Sequence, residues 1–146
     1  MKTIQFFSLI EELCPNGVDF EEINKVFTIV RPPRKLTRDK YKETGKYAIV
    51  DQGQSLVIGY TDEEEALVPE QDYVVFGDHT RYVKYVDFPF VQGADGLVIL
   101  RSKSKAYCLK YLFYAFSNLQ IPSRGYNRHW TIANKLKIPI PPLPLQ

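Results

Sequence analysis

At 146 residues, 45% hydrophobic and 14% aromatic, the chain can bury the core of one domain, which excludes disorder throughout. Net charge is only +2, yet residues 1–30 sum to −3, 31–46 to +5, 47–100 to −8 and 101–146 to +8, the last with no Asp or Glu. No apolar run is long enough to span a bilayer and no basic-then-apolar leader opens the chain, so the expected location is the cytoplasm.

In chain order, Phe6, Phe7, Leu9, Ile10 and Leu13 recur at helical spacing and predict an amphipathic helix over Ile4–Leu13, ended by the breaker and turn Cys14-Pro15-Asn16-Gly17. Asp19–Phe27 reads as a short helical turn feeding a strand at Val26–Val30. Arg31-Pro32-Pro33-Arg34-Lys35 continues neither helix nor strand and opens a basic loop to Lys46. The middle of the chain is β: Tyr47–Val50, Leu56–Tyr60, Tyr73–Phe76, Arg81–Val86 and Gly96–Leu100 are short and rich in β-branched or aromatic residues, with turn residues between them. Lys105–Leu119 predicts a second helix whose buried stripe is Leu109, Leu112, Phe113 and Phe116. A loop over Pro122–Arg128, a short helix over Trp130–Leu136 and an extended apolar segment over Ile138–Leu145, kept from helix by its prolines, complete the chain. Cys14 and Cys108 lie far apart with no CxxC and no nearby His pair, so buried or half-buried thiols are expected rather than a disulfide framework or a zinc site.

The acid-free final third surrounds Arg124-Gly125-Tyr126-Asn127-Arg128-His129-Trp130, the footprint of a surface that meets an anion. Lys and Arg neutralise backbone phosphates, while Arg and Asn also offer paired donors or a donor and acceptor to base edges, so nucleic acid is the first partner to test. Arg124, Tyr126, Asn127, Arg128 and His129 converge within one short loop and are read as direct DNA contacts. In the basic loop, Arg34, Lys35 and Arg38 fit either a solvated face or a phosphate track. Lys103 and Lys105 fit sequence-blind, salt-sensitive contacts. Asp78-His79-Thr80 reads as a turn between strands in which Asp78 caps backbone amides and His79 organises the turn or faces DNA. The acidic run Asp62–Glu65 reads as a solvated turn that faces away from DNA or toward a basic protein partner.

Catalysis is argued against by missing parts. Arg31-Pro32-Pro33-Arg34 and Ile140-Pro141-Pro142-Leu143 have neither the polar acceptor nor the ring with which an adenine methyltransferase holds a flipped base. There is no P-loop, no Gly-rich turn after a strand, and Glu70-Gln71-Asp72 lacks the lysine of a metal-dependent nuclease. A protein-interaction or scaffold module, docking partners through the first helix and Ile138–Leu145, stands as the alternative to DNA recognition.

Five segments carry a likeness beyond composition: Leu13-Cys-Pro-Asn-Gly-Val18, Val75-Phe-Gly-Asp-His-Thr80, Phe88-Pro-Phe-Val-Gln-Gly-Ala-Asp-Gly96, Gly125-Tyr-Asn-Arg-His129, and Ile138-Pro-Ile-Pro-Pro-Leu143 with Gln146. In this order, over nearly the whole chain, they resemble a target recognition domain from the DNA specificity subunit of Type I restriction-modification systems. The resemblance implies an α/β (α+β) fold, a twisted, mostly antiparallel β-sheet with flanking helices and loops that enter the major groove. It implies a non-catalytic reader of one half of a bipartite double-stranded DNA target, with no cofactor of its own. Partner modification subunits would supply the methyltransferase and bind S-adenosylmethionine, and a restriction subunit would join for cleavage. His79, Thr80, Tyr126, Arg128 and His129 fall inside the matching motifs. The family's proline-rich close leads into a long spacer helix and a second recognition domain, so residues 1–146 are expected to form a single domain, half a specificity subunit.

Overall fold

The computed structural model describes residues 3–146. Helix α1 (Thr3–Leu13) forms where the helical spacing predicts it, and Leu9 and Leu13 are half-buried; the rest of its expected stripe, Phe6, Phe7 and Ile10, lies outside the described side chains. The break follows at Cys14-Pro15, where the Gly17 amide donates back to the Cys14 carbonyl at 3.1 Å. Next come β1 (Asp19–Glu22), α2 (Ile23–Val26), β2 (Phe27–Val30), β3 (Lys35–Leu36), β4 (Tyr47–Val50), β5 (Gly59–Thr61), β6 (Tyr73–Gly77), β7 (Val83–Val86), β8 (Phe90–Gly93), β9 (Leu97–Ser102), α3 (Leu109–Ser117), α4 (Trp130–Ala133) and β10 (Lys137–Ile140).

The main sheet is antiparallel throughout, in the order β2-β9-β6-β7. Its central strand β6 is buried at every position, which is why Tyr73-Val-Val-Phe-Gly77 reads as an unbroken apolar run and not as an alternation. Val74 and Phe76 face α3 and pack with Leu100, Leu112 and Phe116. Tyr73 and Val75 face the other way and meet Val50, Val68 and Phe90. Phe116 is the hub of the helical side, its ring 5.3 Å from that of Phe76 and 5.9 Å from that of Phe27. Truncating so central a ring to Ala would cost about 3–5 kcal/mol.

The second sheet is mixed, in the order β3-β8-β4-β5, with β8 parallel to both β3 and β4. A separate ribbon pairs β1 with β10, placing Glu22 opposite Lys137. The fold is thus α+β with mostly antiparallel pairing, as expected, and it corrects the reading in several places: the strand expected over Leu56–Tyr60 is confined to Gly59–Thr61, the expected basic loop contains β3, and Leu143–Leu145 is a 3-10 turn within the segment expected to be extended. Asp19–Glu22, expected as part of a helical turn, is a strand; three acids of weak β propensity around Phe20 are held extended by a partner over a hundred residues away. Phe90–Gly93, hemmed in by Pro89 and by the Ala94–Gly96 turn, is a strand that no expectation placed. The expected helix over Lys105–Leu119 contracts to α3, since Ser102 and Ser104 hold the preceding segment in side-chain-to-backbone bonds. The short helix expected over Trp130–Leu136 stops at Ala133, where the chain turns to pair β10 with β1.

Candidate nucleic-acid interface

The turn between β6 and β7 and the loop between α3 and α4 are fifty residues apart in sequence and meet at one end of the main sheet. Gly77 closes the turn, its amide donating to the Tyr82 carbonyl at 2.9 Å while its own carbonyl accepts the Arg81 amide at 2.8 Å. A Cβ on Gly77 would sit 2.0 Å from Thr80 Oγ1, so only glycine leaves room for the turn to fold back on itself. Arg81 has a left-handed backbone, φ 67°, and its Nη1 reaches across to donate to the Ile121 carbonyl at 2.6 Å, anchoring the start of the 121–130 loop. Gly125, at φ +67° with open space around it, supplies the left-handed step that turns that loop outward.

His129 joins the two segments. It is fully buried; Nδ1–H donates to the Asp78 carbonyl at 3.0 Å, and Nε2 accepts the Arg124 amide at 2.9 Å. A carbonyl can only accept and an amide N–H can only donate, so both partners demand the same ring tautomer. The Asp78 carboxylate completes the join, its Oδ1 accepting the amides of His129 at 3.0 Å and Trp130 at 2.8 Å. Asp78 is the amide cap that the sequence suggested, acting across the fold. His129, expected to touch DNA, does not reach the surface: with both ring nitrogens occupied inside the molecule, it has no free group for a ligand.

On this base the tip of the loop is exposed. Tyr126 is 84% exposed and its ring stacks on His79, centroids 4.5 Å apart and planes 9° from parallel; His79 Nδ1–H donates to the Tyr126 carbonyl at 3.0 Å. Asn127 donates to the Arg124 carbonyl, which fixes its amide within the loop. Arg124 Nη1 reaches the Arg128 carbonyl at 3.4 Å, and Arg128, its side chain 75% exposed, stands 3.7 Å from Asp78 Oδ2. Two guanidinium groups and an aromatic face therefore project from one locked loop, a set able to neutralise phosphate, stack on a base and donate to base edges.

The other expected contacts divide. Thr80 is near the cluster, but its hydroxyl donates to the Gln52 carbonyl and accepts the Tyr82 amide, so it braces the turn. Arg34 pairs with Glu63 at 3.3 Å and Glu65 at 3.4 Å, and Lys35 with Asp95 at 3.2 Å. Asp62, from the same acidic run, accepts the Lys46 amide and pairs with Lys42, which together hold its carboxyl below the usual carboxylate range. The acidic run is thus the counter-charge of the basic loop and not a free acidic face. Arg38 is exposed on a single helical turn. Lys103 and Lys105 are exposed but follow the far end of β9: Leu97 pairs with Gly77 beside the turn, whereas Ser102 pairs with Phe27, roughly 17 Å away at the rise of a strand. They do not join the loop cluster.

Three residues that the sequence did not single out position the site. Gln52 spans the gap between the sheets, its Oε1 accepting the His79 amide at 2.9 Å and its Nε2 donating to the Asp95 carbonyl at 3.3 Å. Lys84, buried on β7, donates to the carbonyls of Asp51, Gly53 and Ser55 at 2.6–2.9 Å and so fixes the loop that carries Gln52. Burial pushes the Lys84 ammonium below its ordinary pKa, partly offset by Asp51. Arg81 is the third. A lysine inside the β7 alternation was the available signal for Lys84; nothing local marked Gln52.

Among the described residues no helix is long and apolar enough to cross a membrane, and no three His, Cys, Asp or Glu side chains gather as metal ligands. Cys14 and Cys108 are half-buried free thiols. A search of curated proteins gave no match. Among solved structures, the chain is similar to the S subunit of a Type I restriction-modification system from M. genitalium, with 18% identity and a TM-score of 0.67 over 86% of this chain and 35% of that one. It is also similar to the HsdS subunit from Thermoanaerobacter tengcongensis, with 16% identity and a TM-score of 0.52 over 97% of this chain and 39% of that one. A chain from a structure describing complex assembly and conformational transition of the type I R-M system matches with 15% identity and a TM-score of 0.55 over 97% of this chain and 40% of its own length. The chain thus spans between a third and two fifths of the length of these subunits, and the likeness establishes the α+β fold they share. The family model for the Type I restriction modification DNA specificity domain matches residues 15–146, nearly the whole chain, and the chain belongs to that family.

Proposed function

We propose that this chain is one target recognition domain that reads half of a bipartite double-stranded DNA sequence for a Type I restriction-modification complex. The observation that carries the reading is the exposed loop bearing Arg124, Tyr126, Asn127 and Arg128, locked from below by buried His129 and Asp78. A reader needs such a tip: donors held within a few tenths of an ångström discriminate between base edges, whereas mobile ones settle on phosphate. Arg128 suits the two acceptors of a guanine edge, a match worth roughly 1–3 kcal/mol of discrimination. The stacked Tyr126–His79 pair offers a flat face to sugar or base. Arg38, with the ion-paired Arg34 and Lys35, would add sequence-blind attraction to the backbone.

In this reading the chain is non-catalytic and works in the cytoplasm. Modification subunits provide the adenine methyltransferase and hold S-adenosylmethionine, and the restriction subunit joins the same assembly to cleave. The test is selection from a randomised duplex oligonucleotide pool, with the modification partner present. Enrichment of a short fixed sequence is expected. Capture of the partner with no enrichment would favour a protein-docking module instead.

A further inference from the structure

Arg128 and Asp78 form an unequal pair. The carboxylate is held fast: Oδ1 accepts two amides, the Asp78 carbonyl accepts the His129 amide at 2.7 Å and its ring Nδ1–H at 3.0 Å, and the Asp78 amide donates to the Gly96 carbonyl at 2.7 Å. Its side chain is only 8% exposed, and Oδ2 faces the Arg128 guanidinium at 3.7 Å. Arg128 is tied down by nothing comparable, and 3.7 Å is longer than a charge-assisted hydrogen bond, so the attraction between them is Coulombic. Both residues line a groove of about 470 Å³, together with Arg31, Lys35, Trp130 and the apolar side chains of the sheet. Three cationic side chains, one of them (Lys35) already paired with Asp95, therefore share that lining with one immobile negative charge.

Resting on the DNA-recognition reading above, we propose that Asp78 is a positioning residue that sets the sequence specificity of Arg128. A guanidinium presents five donors in one plane, and a fixed carboxylate beside one edge leaves the opposite edge aimed at a ligand. A paired acceptor edge on a base meets that orientation without displacing Arg128. A phosphate drawing Arg128 away strands the carboxylate, and a phosphate entering the groove meets its repulsion. Every DNA sequence offers phosphates and few offer the matching base edge, so Asp78 penalises the sequence-blind competitor more than the target. The sequence signature, an Asp in a turn fifty residues from the arginine it serves, is invisible without the fold.

The test substitutes Asp78→Asn in the full chain. The asparagine Oδ1 still accepts the amides of His129 and Trp130, so the loop keeps its lock, while the charge beside Arg128 is lost. Binding is measured by selection and titration with randomised duplex DNA, alongside the thermal midpoint as a check on folding. D78N is expected to bind bulk duplex about threefold more tightly, to steepen the salt dependence by about one released counterion, and to narrow discrimination at one base pair by about tenfold. In an Arg128→Ala background the same substitution should leave discrimination unchanged, because the residue it positions is gone. Undiminished discrimination by a folded D78N, or an equal effect with and without Arg128, overturns the role of Asp78 and leaves DNA recognition standing. A wild-type protein that selects no sequence overturns both. Should D78N melt markedly below wild type, Arg128→Lys decides: it keeps the charge but loses the planar fork, and retained discrimination overturns the proposal.

Discussion

Replacing His129 by alanine separates a buried keystone from a surface contact. The substitution removes the acceptor of the Arg124 amide and one of the two donors to the Asp78 carbonyl, about 1 kcal/mol each. It also empties the volume of a fully buried ring, roughly another 2 kcal/mol where the surroundings relax only in part. The sum, about 4 kcal/mol, corresponds to a midpoint lowered by roughly 10 °C for a chain of this size. Calorimetry or circular dichroism on the purified chain reads it directly. DNA binding should weaken as well, since the 121–130 loop loses its base, but the loss would follow the loss of stability. If H129A melts within about 2 °C of wild type while DNA binding disappears, the ring is touching ligand, and the reasoning from its burial fails.

Lys84→Met should lower stability by about 3 kcal/mol, because three carbonyls in the 51–55 loop lose their donor; urea titration measures it, and a change below about 1 kcal/mol would show that the loop is held otherwise. Tyr85 gives a pH signature. Burial and its hydrogen bond to Asp72 raise its pKa from 10.0 to about 12, so between these values the unfolded chain releases a proton that the folded chain keeps. Stability therefore falls as pH rises through that window, and Tyr85→Phe should flatten the fall; identical pH profiles would refute the shift. Arg34→Ala should change the midpoint little, since its pair with Glu65 is solvent-exposed and that with half-buried Glu63 only partly shielded, together worth about 1 kcal/mol; a drop of several degrees would mean that they brace the fold.

What the sequence could show follows from how local each signal is. The α1 helix, the α3 stripe, the β6 run and the 122–128 loop depend on neighbours in the chain, and each lies close to where the periodicity puts it. Strands β1 and β8 depend on partners far away, so acidic Asp19–Glu22 and proline-flanked Phe90–Gly93 carried little signal of their own. For the site, both halves were flagged, Asp78–Thr80 and Arg124–His129, but not their contact. That contact decides which polar groups are spent inside. His129 and Thr80 serve the fold, Arg34 and Lys35 are paired with acids, and Tyr126 and Arg128 are left outward. Charge counting also merged what β9 separates, because Lys103 and Lys105 belong to the acid-free third yet emerge at the opposite end of the sheet from the loop.

The most direct test of the loop as the DNA-facing surface is site-specific photocrosslinking. A photoreactive phenylalanine derivative replaces Tyr126 at the loop tip or, in a second protein, Tyr114 on α3, also exposed but outside the cluster. Irradiated with duplex carrying the selected sequence, position 126 should crosslink to DNA and position 114 should not. Crosslinking from 114 with none from 126 would place the DNA on another face and contradict the account.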